Sequence, residues 1–368
     1  MKSNTDINVN LIKNSLQNND ISNPSLIKTD PKTKICDYDF FSVNEVKISS
    51  KIQKIPYYSN YYEIISNYQF INIGEMDEIV FESINIKTNE SNESNERNKK
   101  NKKYLFMEYN NKKETKTLDF NVFLFNLPSP NLLIFHVLDS YSYLLDSLIK
   151  INKKGICFFD LCPENIQFMQ NYKPLLKNFQ FSLLTTNSLN IDYITSIIKK
   201  IDNYTHKPLE VHLLFYLVAN NETSISYSLI DSICQNYLDH MDILCFFSQN
   251  YKNEFKKDCE EFLKKYINRT RNEIIQDILL YYDKWDNFSL SMIYIYIFGH
   301  ICRSFSLKDT LINKIVILLS KNIHPNPWKR ETLINTRKTY DLLFNSHSEW
   351  GFVNKIPYEK LDELYKIL

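Results

Sequence analysis

The chain has 368 residues, long enough for two ordinary domains or one large two-lobed one, and is 43% hydrophobic and 14% aromatic with only four glycines. Its formal net charge of +1 gives no global field that would draw nucleic acid or an acidic membrane surface. Seven scattered cysteines with no Cys-x-x-Cys pair argue against a disulfide framework or a zinc site and fit a reducing compartment, so an intracellular, cytoplasmic protein is the default expectation.

In chain order, residues 1–25 are polar and weakly periodic, as a flexible N-terminus would be. From Ile35 the pattern turns apolar. "VNEVKISSKIQKIPYYSNYYEII" places Val43, Val46, Ile48, Ile52 and Ile55 at helical spacing, with Pro56 as the stop. "YQFINIGEM" and "EIVFESINI" alternate like strands, and "KYLFMEY", Lys103–Tyr109, has the look of a buried one. The tract 87–103 between them is low in complexity and reads as a solvated loop. Everything beyond 110 is expected to be helical. "LLIFHVLDSYSYLLDSLIKI" repeats apolar residues every three or four positions and stops near Gly155, which can supply a C-cap. The apolar run from Met292 is too short to span a bilayer. Asn, Ile, Lys and Tyr are abundant wherever the choice looks free. That bias suits an AT-rich genome, so weak Asn- or Lys-based patterns are discounted.

One stretch carries chemistry: "GICFFDLCPENIQFMQNYKPLLKNFQFS", Gly155 to Ser182. Asp160 and Asn165 stand five apart, a short hairpin follows, and then comes "KNFQ". This resembles the catalytic loop and metal-binding loop of eukaryotic-type protein kinases, H-R-D-L-x-P-E-N followed by D-F-G. Three further matches follow in the family's order. "HKPLEV" is similar to the A-P-E motif with Glu210 as its Glu, and "KWDNFSLSMIYIYIFG" to the D-x-W-S-x-G helix with Asp286 as its Asp. "NPWKRET" is similar to the late D-P-x-x-R motif, with Arg330 as the ion-pair partner of Glu210. "YLFMEY" looks like the hinge strand, with Met107 facing the nucleotide. Small-molecule kinases share an Asp–Asn loop but lack the Glu with its late Arg partner. The composition, "IPYYSNYYEII" and the long helical stretch 211–280 look like kinase-related proteins of large DNA viruses, whose location would be host cytoplasm or virion.

The resemblance spans about Ile35 to Phe344 and implies an α+β, two-lobed protein-kinase-like fold. It has a reduced N-lobe over 26–109 and a mainly helical C-lobe over 110–368 that carries the helical insertion 211–280. It also implies roles: Asp160 as catalytic base, Asn165 and Asn178 as magnesium ligands, and Phe158, Phe179, Glu210, Asp286 and Arg330 as fold-supporting residues. Lys28, upstream of Glu45, is the candidate for the lysine that pairs with the nucleotide phosphates.

The catalytic set departs from the family. Phe158 and Phe159 replace the His and Arg, so switching by phosphorylation of Thr185, Thr186 or Ser188 through that Arg is not expected. Cys162 replaces the Lys that neutralises the moving phosphoryl group, Asn178 the metal-binding Asp, and Gln180 the hinge glycine. No glycine precedes Gly74, which removes the backbone cradle for phosphates. Packing residues are retained while charge and glycine are lost. The expectation is a pseudokinase with impaired use of ATP and magnesium, acting through an unidentified protein partner, with 211–280 either packed on the C-lobe or forming the docking surface. The alternatives are an active Ser/Thr protein kinase using ATP with magnesium or manganese, and a helical structural protein without a cofactor.

Overall fold

The structure, a computed structural model, describes residues 33–72, 103–110, 117–185, 191–201, 206–305, 307, 310–347, 350–357 and 359–367. It is an α+β protein, mostly helical, with small antiparallel sheets. The first sheet holds β1 (Thr33–Asp37), β2 (Ile65–Asn72) and β3 (Lys103–Tyr109) in the order β1-β3-β2, with Cys36 and Phe70 both opposite Leu105. "EIVFESINI", Lys28 and nearly all of the tract 87–103 lie outside the described residues.

Between β1 and β2 runs α1 (Phe40–Ile52). Its start is a capping box: the Asp39 carboxylate accepts the N–H groups of Phe41 and Ser42, and the Ser42 hydroxyl accepts the Asp39 N–H. The helix stops at Ile52, short of Pro56, and Ile55 lies beyond it. Its buried face is Ser42, Asn44, Glu45, Ile48, Ser49 and Ile52, while Val43 and Val46 are only half-buried. The apolar spacing thus found Ile48, Ile52 and Ile55, which are buried, but not the polar residues that share the buried face. This helix is wedged against loops whose carbonyls need donors, and polar side chains meet that need. Met107 is fully buried among Ile65, Leu105, Cys36, Val46 and Tyr109, in a small core of the sheet itself. The chain leaves the sheet at Asn110, whose side chain accepts the Ile64 N–H and donates to the Tyr62 carbonyl.

The remainder is not purely helical as expected. After β4 (Leu118–Asp119), α2 (Phe120–Leu124) and α3 (Pro130–Asn152) come β5 (Ile156–Cys157), β6 (Ile166–Phe168), β7 (Pro174–Leu176) and β8 (Leu183–Leu184). They pair as β4-β6-β7 and β5-β8, strands too short for a period of two to be visible in sequence. Ser129 caps α3, Pro130 occupies its first turn, and Gly155 takes φ +70° three residues past its end. By length and composition alone α3 could cross a membrane, but 61% of its apolar window is buried inside the molecule, as in a core helix.

Next come α4 (Ile191–Ile198), α5 (Leu209–Ala219), α6 (Tyr227–Asp239), α7 (Gln249–Lys264), α8 (Arg271–Ile278), α9 (Trp285–Phe305), α10 (Leu311–Asn322), α11 (Leu333–Asn345) and α12 (Glu359–Ile367). α9 is the axis of this region, with fifteen buried residues between Trp285 and Ile301. The helices of 211–280 turn their apolar faces inward: Ile230, Ile233 and Tyr237 of α6, Phe255, Cys259 and Phe262 of α7, and Ile274, Ile275 and Ile278 of α8 join one continuous core with α9. Among the described residues of that stretch, Tyr227 and Leu280 are the exposed large hydrophobics. Core packing, not an open apolar face, accounts for its aromatic stripes.

Candidate functional site

Asp286, near the start of α9, organises the loop 157–165. Its buried carboxylate accepts the Phe158 N–H at 2.7 Å and the Phe159 N–H at 2.8 Å. Burial pushes this carboxyl up to about 6, against the pull of those two donors. The paired bonds hold Phe159 at φ +65°, an uncommon conformation for a bulky residue that costs on the order of 1–3 kcal/mol. Phe158 then points one way, edge-on to Phe179 at 4.9 Å. Phe159 points the other way, toward Trp285 at 5.4 Å. Asp160 is left at the rim with its side chain 17% exposed.

The short helical turn Pro163–Asn165 brings Asn165 back over Asp160. Its Nδ2 donates to the Asp160 carbonyl at 2.8 Å and to Asp160 Oδ2 at 3.1 Å. Asn178, at φ +64° after β7, donates its own Nδ2 to Asn165 Oδ1 at 2.7 Å. Lys207 Nζ reaches Asp160 Oδ1 at 3.2 Å. A continuous chain results, in which Lys207 donates to Asp160, Asn165 donates to Asp160, and Asn178 donates to Asn165.

A magnesium ion is a hard cation that takes carboxylate and phosphate oxygens. The donor set here does not fit it. Both candidate ligands are neutral amides, the Asn165 oxygen already accepts an N–H, and the nearest carboxylate is occupied by Lys207. Among the described residues no group of three or more His, Cys, Asp and Glu side chains could hold a metal.

Phe179 is fully buried, contacting Phe158 and, edge-on at 6.0 Å, Tyr62. The backbone that follows it is tied to α1 by Asn44, whose Nδ2 donates to the Gln180 carbonyl at 3.0 Å and the Ser182 carbonyl at 2.9 Å. Asn44 Oδ1 in turn accepts the Tyr193 hydroxyl at 2.8 Å. One turn on from Asn44's neighbour, the same helix is fixed to β2 by Ser49, which accepts the Ile65 N–H. Glu45, also on α1, is buried and has its carboxyl raised by desolvation. The Lys34 charge and the Tyr109 hydroxyl, 3.2 Å away, oppose that rise. Among the described residues, Lys34 of β1 is the lysine whose charge acts on Glu45.

Glu210 and Arg330 form a two-pronged ion pair at 2.7 and 2.8 Å, with Trp285 Nε1 donating to Glu210 at 3.0 Å. The guanidinium also reaches the His324 and Pro325 carbonyls, which satisfies donors the carboxylate cannot take.

The residues singled out in the sequence thus fall into two sets. Asn165 joins Asp160 on one side and Asn178 on the other by direct hydrogen bonds. Asp286 anchors their loop, Phe158 and Phe179 pack together beneath it, and Glu210 and Arg330 form a separate buried pair joined to Trp285, while Met107 lies in the sheet core. Lys207, Asn44 and Lys34 were missed. Lys207 sits three residues before Glu210 in a lysine-rich chain, with nothing local to mark it. Asn44 fell to the compositional discount. A cavity of about 550 Å³ between α3 and α11, lined by Phe135, Leu138, Tyr340, Phe344 and Trp350, shares none of these residues. No protein-family model matches the chain, and no curated protein matches it either.

Proposed function

We propose that this is a protein-kinase-like protein with a two-lobed fold, a pseudokinase whose catalytic centre has closed on itself and which acts by binding other proteins. The arrangement of β1, α1, β2 and β3 ahead of a helical region, the loop Phe158–Asn165 anchored by Asp286, and the Glu210–Arg330 pair support the kinase-like part of the reading. The observation that carries the pseudokinase part is the 2.7 Å bond from Asn178 to Asn165. In an active centre these two positions would aim oxygens at a shared cation. Here one amide donates to the other and the pair is satisfied without a metal. With Cys162 at the lysine position and no glycine before Gly74, the phosphates of a nucleotide lose a metal site, the loop's own lysine and the backbone cradle together.

A ligand that binds the folded state alone must raise its apparent stability. Thermal denaturation with ATP and magnesium, ATP and manganese, and ATP alone is expected to show no shift. Phosphate incorporation into a protein substrate is expected to be no greater for the native chain than for Asp160→Ala. Robust transfer that disappears in Asp160→Ala would overturn the reading. It would favour an active Ser/Thr protein kinase, a view that the position of Asp160 at the rim, held by Asn165, supports.

A further inference from the structure

We infer that Lys207 takes over the electrostatic place left empty at Cys162: it is a positioning residue that supplies the loop 158–165 with its cation from the far end of the following segment. The inference rests on the kinase-like reading, since that reading marks 162 as a position where a lysine is missing.

Four observations carry it. Lys207 is only 3% exposed in its side chain, and a buried ammonium is costly unless it is paired. Its partner is Asp160, 3.2 Å away, with the Phe159 ring 5.3 Å below the charge. Its backbone is not free to drift. The His206 carbonyl accepts the Ser289 hydroxyl of α9 at 2.6 Å, and the Pro208 carbonyl caps the first turn of α5 by accepting the N–H groups of Val211 and His212. Cys162, two residues from Asp160, opens the turn Pro163–Asn165 that folds Asn165 back onto that carboxylate, and its thiol feels the same charges: burial, Asp160 and Glu164 push it up while Lys207 pulls it down. A cation at either position would therefore face the same carboxylate.

The other ionisable groups there do not compete for the role. His206 is held neutral, and Glu164 adds a second negative charge on the loop. Lys207 also acts on Asp286, the carboxylate that shapes the loop. Losing its charge would leave two carboxylates, one fully buried and one half-buried, without a nearby ammonium.

The test is rescue from a different position. Lys207→Met should lower the thermal midpoint by several degrees and speed amide hydrogen exchange in both 158–165 and 206–212. Adding Cys162→Lys in that background should recover at least half the lost midpoint and the protection of 158–165. If Lys207→Met alone fails to fold, recovery of folded protein by the added Cys162→Lys carries the same meaning. Cys162→Lys alone should not stabilise, because Asp160 already has its partner. Two results would overturn the inference: Lys207→Met as stable as the native chain, or Cys162→Lys restoring nothing while Lys207→Arg remains native-like. Phosphotransfer measured on the same proteins separates the two proposals. Turnover by the native chain would sink the pseudokinase reading and leave the rescue result standing.

Discussion

Arg330 and Glu210, 120 residues apart in the chain, close on each other with no exposed side-chain surface on either. The bidentate fork, the Trp285 indole and two backbone carbonyls use the polar atoms of both groups, so the pair is a fully satisfied unit in the core. Breaking it from one side leaves a charge buried without its counter-ion. Arg330→Met is expected to cost about 3–5 kcal/mol, read from urea unfolding. Arg330→Met with Glu210→Leu should be less damaging than the single change, because no orphan charge remains.

Asn178→Asp should convert a metal-indifferent pair into a metal-responsive one. Without a cation the new carboxylate faces the Asn165 oxygen it formerly donated to, so the variant should be less stable than the native chain by about 1–3 kcal/mol. Millimolar magnesium or manganese with ATP should raise its thermal midpoint and leave the native chain unmoved. Equal behaviour of the two proteins would mean that position 178 does not govern metal binding.

Acid should act on the site through two groups of opposite sign. Burial and the Lys207 charge lower His206 from 6.5 to about 4. The unfolded chain therefore binds its proton first, and this contribution, present above pH 6.5, is lost as pH falls toward 4. It is worth about 3 kcal/mol. Asp286, raised to about 6 by burial, runs the other way: its contribution is present below about pH 4 and is lost as pH rises through 6. His136, His300 and His324 are lowered as well, so His206 is isolated by difference. Relative to the native chain, His206→Asn should gain stability steadily from pH 6.5 to 4.5 in chemical denaturation. A constant difference across that range would contradict the assignment.

Gly299 tests how the insertion is seated. A Cβ at this position in α9 would fall 2.6 Å from the ring of Phe246, in the turn between α6 and α7. An alanine in mid-helix ordinarily stabilises by up to about 1 kcal/mol. Here the clash should win, with Gly299→Ala destabilising by about 1–3 kcal/mol. Phe246→Leu in the same chain should relieve it, and urea midpoints of the native chain and the two variants suffice.

What the sequence made legible was whatever depends on short spacing. Asp160 and Asn165 share one tight turn, and the hairpin β6–β7 sits where the text between them and Asn178 left room for it. Glu210, Asp286 and Arg330 were found through the order of their motifs, not through any signal of contact. What stayed hidden is set by partners far along the chain. Lys207 meets Asp160 across 47 residues, and Asn44 meets Ser182 across 138. Neither lies on an apolar stripe, and both belong to residue types the composition makes common. On α1 the pattern of Val43 and Val46 suggested one face, but the carbonyls of 180 and 182 selected another. The expectation for Lys28 lies outside the described residues; among those described, Lys34 of β1 is the lysine whose charge acts on Glu45.

The contacts of α1 have a mechanical consequence. Ser49 and Gln53 fasten one end of the helix to β2, and Asn44, with Tyr193 behind it, fastens the middle to 180–182. A helix clamped at both places cannot shift without giving up its hydrogen bonds to β2 and to 180–182 together. A partner docking beside it would meet a single unchanging outline.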